Sequence, residues 1–312
     1  MSIPVSSPIL FHCWRHEDVT IGRSVLESIV KNGLLLTPNT STLDSFAMDQ
    51  GAGAVKIEIQ QHPRICFTDI PFELLATHGK RYGKYGVGFR REAIIAWGGL
   101  PAWYLPNHWG NDTMKVVGPV LVNGLHAAMD AVNHFLAFAK ELSDKGVPIS
   151  VNYQHGPTIT GEQLVRQIEA SAHTIFCVVS FIKEMSPSAN EDYQYLNERE
   201  WRIIAGMTLT DQPNPFRLLT QTEKDLLSDR TPAWRKPRKS ADINITARYG
   251  SAPLIDSLLF FNGLPGKSTV AQLIDTILVP SETEARWVEN FVLEHASLFT
   301  SPNPRIEIFP SD

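Results

Sequence analysis

The sequence predicts an α+β fold, in which short strands and unevenly placed helices surround a partly open sheet. Residues 9–14 and 64–70 are apolar runs of strand length, whereas residues 121–145 repeat apolar side chains at helical spacing. The chain then closes with a strand, helix and strand pattern over 274–309. Strand and helix patterns do not alternate regularly along the chain, as they would in a parallel α/β fold. Helices and strands are therefore expected to lie in separate parts of the fold.

Local signals place the first elements. Asp18 can cap a helix over residues 21–32, and Gly33 stands where that helix would end. The polar, small residues 37–53 predict a loop. Pro71 ends the strand at 64–70 and can open the next helix, because its fixed φ suits the first helical turn.

The middle of the chain predicts more helix and one long excursion. Residues 161–171 continue the helical pattern, and residues 193–204 alternate in a strand-like way. Residues 210–252 are polar and rich in proline and charge, which predicts a long loop. We therefore expect one domain over residues 1–312, with a helical insertion at about 121–171 and a polar, basic excursion at about 210–252.

Composition narrows the class of protein. The chain has 312 residues, 43% hydrophobic and 20% charged, with a net charge of -5, which excludes disorder and general nucleic-acid coating by charge. No apolar run approaches the roughly 20 residues that span a bilayer, and the first residues lack a secretory n-region. Cys13, Cys66 and Cys177 form no CxxC pair. We expect a cytoplasmic, reduced protein with neither membrane contact nor metal.

Two segments carry candidate binding residues. His12 lies inside an apolar strand, where it can be a core histidine or can hold a hydroxyl or amide of a ligand. Residues 79–92 mix glycines with Arg81, Tyr82 and Tyr85. Such glycines either let the backbone approach a phosphate, with the tyrosines stacking on a base or nicotinamide, or simply form a strand corner with core tyrosines.

The segment 195–204 carries candidate catalytic carboxylates. Glu198, Glu200 and Arg202 alternate with Arg199 and Trp201, so the first three are expected on one strand face. One glutamate can hold a hydroxyl while the other acts as a base. The same spacing also fits a ladder of structural salt bridges.

A basic run, RTPAWRKPRKS (230–240), is the candidate nucleic-acid contact. It contains five basic side chains and one tryptophan but no acid. Basic and aromatic residues together are typical of nucleic-acid contacts, and also occur on ordinary solvated surface. The residues of interest are Trp234, Arg235, Lys236, Arg238 and Lys239.

Three motifs resemble a known family. ICFTDIP (65–71), RYGKYGVGF (81–89) and NEREWRI (197–203) resemble the abortive-infection AbiG-i family of phage-resistance proteins, as does ILVPSE (277–282). The opening FHCWRHED, with its following helix and NGLL, is similar to ADP-ribosyltransferases of the diphtheria-toxin and DarT kinds.

The second resemblance implies a split antiparallel sheet with flanking helices and inserted loops, and a site for NAD as co-substrate. A histidine on the first strand, here His12, would bind the ribose or amide, and Tyr82 or Tyr85 would stack on nicotinamide. A late-strand glutamate, Glu200 or its neighbour Glu198, would be catalytic. In such a site the charge of Arg64, Arg81 or Lys84 could hold the pyrophosphate, and Thr68 is a further candidate cofactor contact.

Together these features predict a phage-defence toxin that cleaves NAD and transfers ADP-ribose to a macromolecule. Nucleic acid is slightly favoured over protein as the acceptor, because of the basic run, and a cognate antitoxin would be its partner. The alternative is a non-catalytic antitoxin or sensor that binds a partner or nucleotide. A hydrolase ranks third, since no set of carboxylates and histidines has metal-ligand spacing.

Overall fold

The fold is described from a computed structural model. It covers residues 7–15, 18–46, 54–105, 114–145, 150–151, 159–184, 198–205, 214–231, 235, 253–300 and 303–310. Within those ranges, no helix combines the length and the apolar character needed to cross a membrane.

Seven α-helices occur in the described residues. They are α1 (Val19–Asn32), α2 (Leu75–Tyr82), α3 (Arg91–Ala96), α4 (Met114–Asp144), α5 (Gly161–Phe181), α6 (Gln221–Arg230) and α7 (Glu282–Glu294).

The strands of the described residues are mostly short. They are β1 (Ile9–Trp14), β2 (Leu34–Phe46), β3 (Ala54–Thr68), β4 (Tyr85–Arg90), β5 (Leu100–Pro101), β6 (Trp103–Leu105), β7 (Ser150–Val151), β8 (Ile159–Thr160), β9 (Ile182–Glu184), β10 (Glu200–Ile204), β11 (Phe216–Leu218), β12 (Leu259–Phe261), β13 (Ile274–Val279) and β14 (Arg305–Ile308).

Ten of these strands form one mixed sheet, which confirms the α+β prediction. Its main order is β11-β12-β2-β3-β1-β4-β13-β14, and β10 pairs with both β3 and β5. Strand β14 runs parallel to β13, so the sheet is not wholly antiparallel as predicted. Two small two-stranded sheets, β6-β9 and β7-β8, complete the described strands.

The chain divides into two compact units. The first contains residues 1–39, 62–103 and 191–312, and the second contains residues 40–61 and 104–190. The second unit includes α4 and α5, which pack against each other and contain the predicted helical region at 121–171. The prediction of a single domain stays a prediction.

Both faces of the sheet in the first unit are covered. On one face, Leu10 and Val87 pack with Leu26 of α1 and Val288 of α7 in the main core cluster. On the other face, Phe11 packs with apolar residues of α2 and of the C-terminal segment. Alternate residues of β1 therefore enter different cores, as the period-two geometry of a strand requires.

Local signals predicted the boundaries of two helices well. The Asp18 side chain accepts a hydrogen bond from the Thr20 amide, and Gly33 ends α1 with a φ of 92°. A side chain at Gly33 would place its Cβ 2.2 Å from the Phe261 carbonyl oxygen, so glycine is needed there. Ser281 caps α7 by accepting from the Glu284 amide.

Two predicted loops contain regular structure. Residues 37–46 belong to β2, because pairing with β3 fixes a polar segment that has no apolar alternation of its own. Within 210–252, residues 216–218 form β11 and α6 follows. Helix α6 begins with a capping box between Thr220 and Glu223. Because the helix is polar and has little apolar periodicity, its sequence does not predict a helix.

A buried carboxylate joins α1, β4 and α7. Glu284 is 3% exposed and accepts two hydrogen bonds from Arg23, at 2.9 and 2.8 Å. The Tyr85 hydroxyl donates to the same carboxylate at 3.0 Å. The bonds from Arg23 and, to a smaller extent, from Tyr85 lower the pKa of Glu284, against the raising effect of burial.

Replacement of Glu284 by Gln is expected to lower the free energy of unfolding by about 2 kcal/mol at pH 7. The folded pKa lies below the ordinary value, so this stabilisation is present at neutral pH and is lost as the pH falls through the folded pKa. Urea denaturation of parent and variant between pH 7 and pH 3 measures the difference, which should shrink toward acid.

The exposed Glu289 on the same helix provides the control. Glu289→Gln is expected to change stability by less than about 0.5 kcal/mol at every pH. A Glu284→Gln variant as stable as this control at pH 7 would contradict a structural role for the carboxylate.

Candidate functional site

The sheet opens between β1 and β3. Strand β1 pairs with β4 at six consecutive positions, from Ile9 opposite Arg90 to Trp14 opposite Tyr85. Against β3, by contrast, the register contains one pair, Phe11 opposite Thr68. Backbone N–H and C=O groups beyond that pair cannot bond across the two strands and need other hydrogen-bond partners. Side chains at this opening can supply them.

His12 bridges this opening. Its Nδ1 atom lies 2.9 Å from the carbonyl oxygen of Cys66 on β3 and must donate, since a carbonyl oxygen only accepts. Burial lowers the pKa of His12, against the smaller raising effect of that hydrogen bond. The imidazole is therefore neutral near pH 7, with its proton on Nδ1 and an acceptor lone pair on Nε2.

A cleft of about 510 Å³ lies at the opening, entirely within the first unit. Its size falls in the range of small-ligand sites, and its walls are mainly apolar. The titratable residues among its lining are His12, Arg64 and Cys66. The remaining lining residues are Val25, Ile29, Leu34, Leu35, Thr37, Pro38 and Ile65.

On its other side, β3 pairs with β10 and gathers polar residues on one face. Glu200 lies opposite Thr68, and Arg202 lies opposite Cys66. Paired residues of antiparallel strands point the same way, so these four side chains share a face. Arg64 joins them, because it is two residues from Cys66 along β3.

Glu200 and Arg202 form a buried ion pair. Arg202 Nε donates to Glu200 Oε1 at 2.5 Å, and the two residues are 1% and 6% exposed, respectively. Burial, followed by the neighbouring Glu200 carboxylate, raises the pKa of the Cys66 thiol, which hydrogen-bonds to that carboxylate. The predicted catalytic base is thus held by neighbours within its own sheet.

Glu198 lies just before β10 begins and has different hydrogen-bond partners from Glu200. The Tyr82 hydroxyl donates to Glu198 Oε1 at 2.5 Å, and the Thr68 hydroxyl donates to the Glu198 carbonyl at 2.6 Å. Between the two glutamates, Arg199 has a φ of 46°, a left-handed conformation that costs about 1 kcal/mol. This turn lets Glu198 and Glu200 both be buried, and Glu198 lies outside the strand on which it was predicted.

Tyr85 lies away from this polar face. It is 3% exposed, its ring stacks on Trp14 at 6.0 Å, and its hydroxyl reaches Glu284. Tyr82 and Tyr85 therefore belong to different clusters. Arg81 occupies the last turn of α2 and is half-buried.

The glycines of the 79–92 run meet the protein's own atoms. A Cβ at Gly83 would lie 2.1 Å from the Trp14 carbonyl oxygen, and one at Gly88 would lie 2.7 Å from Phe11. These contacts are those of a strand corner packed against β1, which accounts for the glycines without a phosphate.

Most of the predicted nucleic-acid contact lies outside the described residues. This applies to Trp234, Lys236, Arg238 and Lys239. Arg235 is described, and its guanidinium lies 3.4 Å from Asp225 and 3.6 Å from Asp229. Nucleic-acid binding stays a prediction.

Sequence reasoning missed how Cys66 and Arg202 take part in the polar face. The sequence places Arg202 beside the glutamates, and it identifies Cys66 only as one of three cysteines without a CxxC pair. Alternation along β3 places Arg64, Cys66 and Thr68 on one side, but the register with β10 cannot be read from sequence. Within the described residues, no group of three or more His, Cys, Asp or Glu side chains could hold a metal ion.

One comparison with known proteins identifies a family. A family model described as "Putative abortive phage resistance protein AbiGi, antitoxin" matches residues 40–224, more than half of the chain. No curated protein and no solved structure matches the chain. The match supports the predicted resemblance to AbiG-i, whereas the resemblance to ADP-ribosyltransferases gains no support.

The prediction that the chain is the toxin of its system is wrong. The family that matches residues 40–224 is one of antitoxins, which agrees with the alternative of a non-catalytic antitoxin. An antitoxin also implies a cognate toxin as partner. Neither the comparisons nor the fold tests whether the chain binds or turns over NAD, nor the roles predicted for the individual site residues.

Replacement of Arg202 by Met is expected to lower the free energy of unfolding by about 3 kcal/mol, because it leaves the Glu200 carboxylate buried without its cation. The double variant Glu200→Met/Arg202→Met should recover to within about 1 kcal/mol of the parent, since it removes both charges. Urea denaturation of the three proteins measures both effects. A double variant less stable than Arg202→Met alone would contradict the pairing.

Proposed function

Because the chain belongs to the AbiGi family of abortive phage resistance antitoxins, we propose that it neutralises a cognate toxin by binding it, without catalysis. The observation that carries this proposal is the family match over residues 40–224. That range contains all of α4, α5 and β10. It leaves out β1 and α1, where the similarity to transferases was noted.

The state of the two glutamates supports a binding role. A catalytic carboxylate must be able to reach a substrate, yet Glu200 is held by Arg202 and Glu198 by Tyr82. Both residues are buried, at 6% and 3% exposure. The bond from Tyr82 joins the segment before β10 to α2, and the bond from Arg202 neutralises Glu200 within β10, which are both structural tasks.

Helix α4 offers an apolar face for the toxin. Phe135 and Phe138 are 49% and 56% exposed, although large aromatic side chains are usually buried. Exposed alanines extend the same side of the helix toward its N-terminus, at 127, 128 and 131. Ala139, one turn beyond Phe135, is 1% exposed, and the helix packs against α5.

The chemistry of this face indicates what it would contact. Aromatic side chains dominate the energetics of protein interfaces, whereas small residues allow a partner helix to approach closely. The face lies inside the family-matched range, so it belongs to the part of the chain that defines the antitoxin family. We expect an apolar surface of the toxin to pack on Phe135 and Phe138.

Neutralisation should be stoichiometric. With the toxin at fixed concentration, residual toxic activity is expected to fall linearly with added chain and to reach its minimum at a fixed molar ratio, without NAD. A binding protein is consumed in its complex, whereas an enzyme acts repeatedly. Complete neutralisation by a tenth or less of the toxin's molar amount would contradict the proposal.

The double variant Phe135→Asp/Phe138→Asp is expected to weaken toxin binding by about 100-fold or more, since each aromatic contact would be lost and a charge buried. Surface plasmon resonance with immobilised toxin measures the change. The matched control, Gln167→Asp/Ser171→Asp, adds the same two charges at exposed positions of α5. Equal affinity of the two double variants would exclude this face as the interface.

A further inference from the structure

His12 lies on the side of the sheet that α1 covers. Strand β1 places Leu10 in the core cluster that also contains Leu26 of α1, and His12, two residues further along the strand, points to the same side. The ring of His12 meets the ring of Phe67 edge-on, with the two centroids 6.0 Å apart. Phe67 belongs to that same core cluster, so the ring contact agrees with the alternation along β1.

The hydrogen bonding of the His12 ring leaves one nitrogen unused. Nδ1 donates to the Cys66 carbonyl oxygen at 2.9 Å, and His12 forms no further hydrogen bond with any described residue. Burial lowers the pKa of His12, so near neutral pH Nε2 carries a lone pair and not a proton. Nε2 keeps accessible surface, because within the described residues it is not one of the buried side-chain nitrogens without a partner.

The cleft of about 510 Å³ at the opening of the sheet is lined by His12. Val25 and Ile29 of α1 give it an aliphatic wall. Arg64 and Cys66 also line it, but the alternation along β3 directs their side chains to the opposite face of the sheet. A molecule that enters on the α1 side therefore meets apolar side chains and the neutral acceptor of His12.

We propose that this cleft binds a small uncharged molecule whose N–H or O–H group donates a hydrogen bond to Nε2 of His12, while its apolar body packs on the aliphatic wall. Ligand sites are typically apolar clefts of this volume in which a few polar groups fix the orientation. A charged ligand is disfavoured, since an apolar wall offers a charge no partner in exchange for its hydration. The inference does not depend on the proposed function, because it rests on the cleft and its acceptor alone.

The test compares two ring systems of the same shape, indole and 1-benzofuran. The indole N–H can only donate, and in 1-benzofuran an oxygen atom replaces it. Indole is expected to bind the full chain with a Kd of about 1 mM or tighter, as the size of the ligand allows. It should bind at least about threefold more tightly than 1-benzofuran, because only indole can donate to Nε2. Isothermal titration calorimetry measures both affinities.

A histidine variant assigns this preference to His12. His12→Phe keeps an aromatic ring but removes both nitrogens, so its affinity for indole should fall to that for 1-benzofuran, which should itself change by less than about twofold. The matched control is His295→Phe, because Nδ1 of His295 also lies at hydrogen-bond distance, 3.0 Å, from a backbone carbonyl oxygen, that of Phe291. His295 is not part of the cleft lining, so this control should keep the parental preference for indole.

A second variant locates the ligand even if His12→Phe does not fold. Val25→Trp places a larger side chain in the wall of the cleft and should prevent the binding of both ligands. Val19→Trp adds the same side chain at a position of α1 that is 42% exposed, and it should bind both ligands as the parent does.

Three results would overturn the proposal. The first is a parent protein that does not bind indole, or that binds indole and 1-benzofuran equally. The second is a His12→Phe variant that keeps the parental preference for indole, and the third is indole binding that Val25→Trp leaves unchanged. Failure of the toxin to bind the chain would overturn only the antitoxin function, since none of these measurements uses the toxin.

Discussion

The pairing of β3 with β10 is the constraint on which the polar centre of this protein depends. The two segments are more than 130 residues apart in sequence, and the register sets Glu200 opposite Thr68 and Arg202 opposite Cys66. Both members of the ion pair that satisfies the Glu200 carboxylate lie on β10, and both are buried. Breaking that pair would leave an uncompensated buried charge, so burial of β10 in the sheet requires the ion pair to stay intact.

The burial of Glu198, Glu200 and Arg202 explains why a pattern typical of an active site is compatible with a binding protein. Carboxylates that hold strands together are not available to a substrate, so a pattern of two glutamates beside an arginine is ambiguous. The family match agrees better with an antitoxin than with a toxin.

Sequence reasoning succeeded where structure is decided locally. Asp18, Gly33 and Ser281 mark helix boundaries because a cap or a positive φ involves only neighbouring residues. It failed for β2 and α6, whose polar sequences resemble loops and are fixed by strand pairing and by a capping box. The site was predicted in part: the alternation along residues 200–202 places Glu200 and Arg202 on one face, but the register that sets them opposite Thr68 and Cys66 of β3 is a long-range property.

Calorimetric titration of the purified toxin into the purified chain, in a buffer free of NAD, tests the central claim most directly. The account predicts saturable binding at a fixed molar ratio, with a heat-capacity change that is negative because apolar surface is buried. Absence of binding without NAD, or binding that appears only while NAD is consumed, would contradict an antitoxin that acts by complex formation.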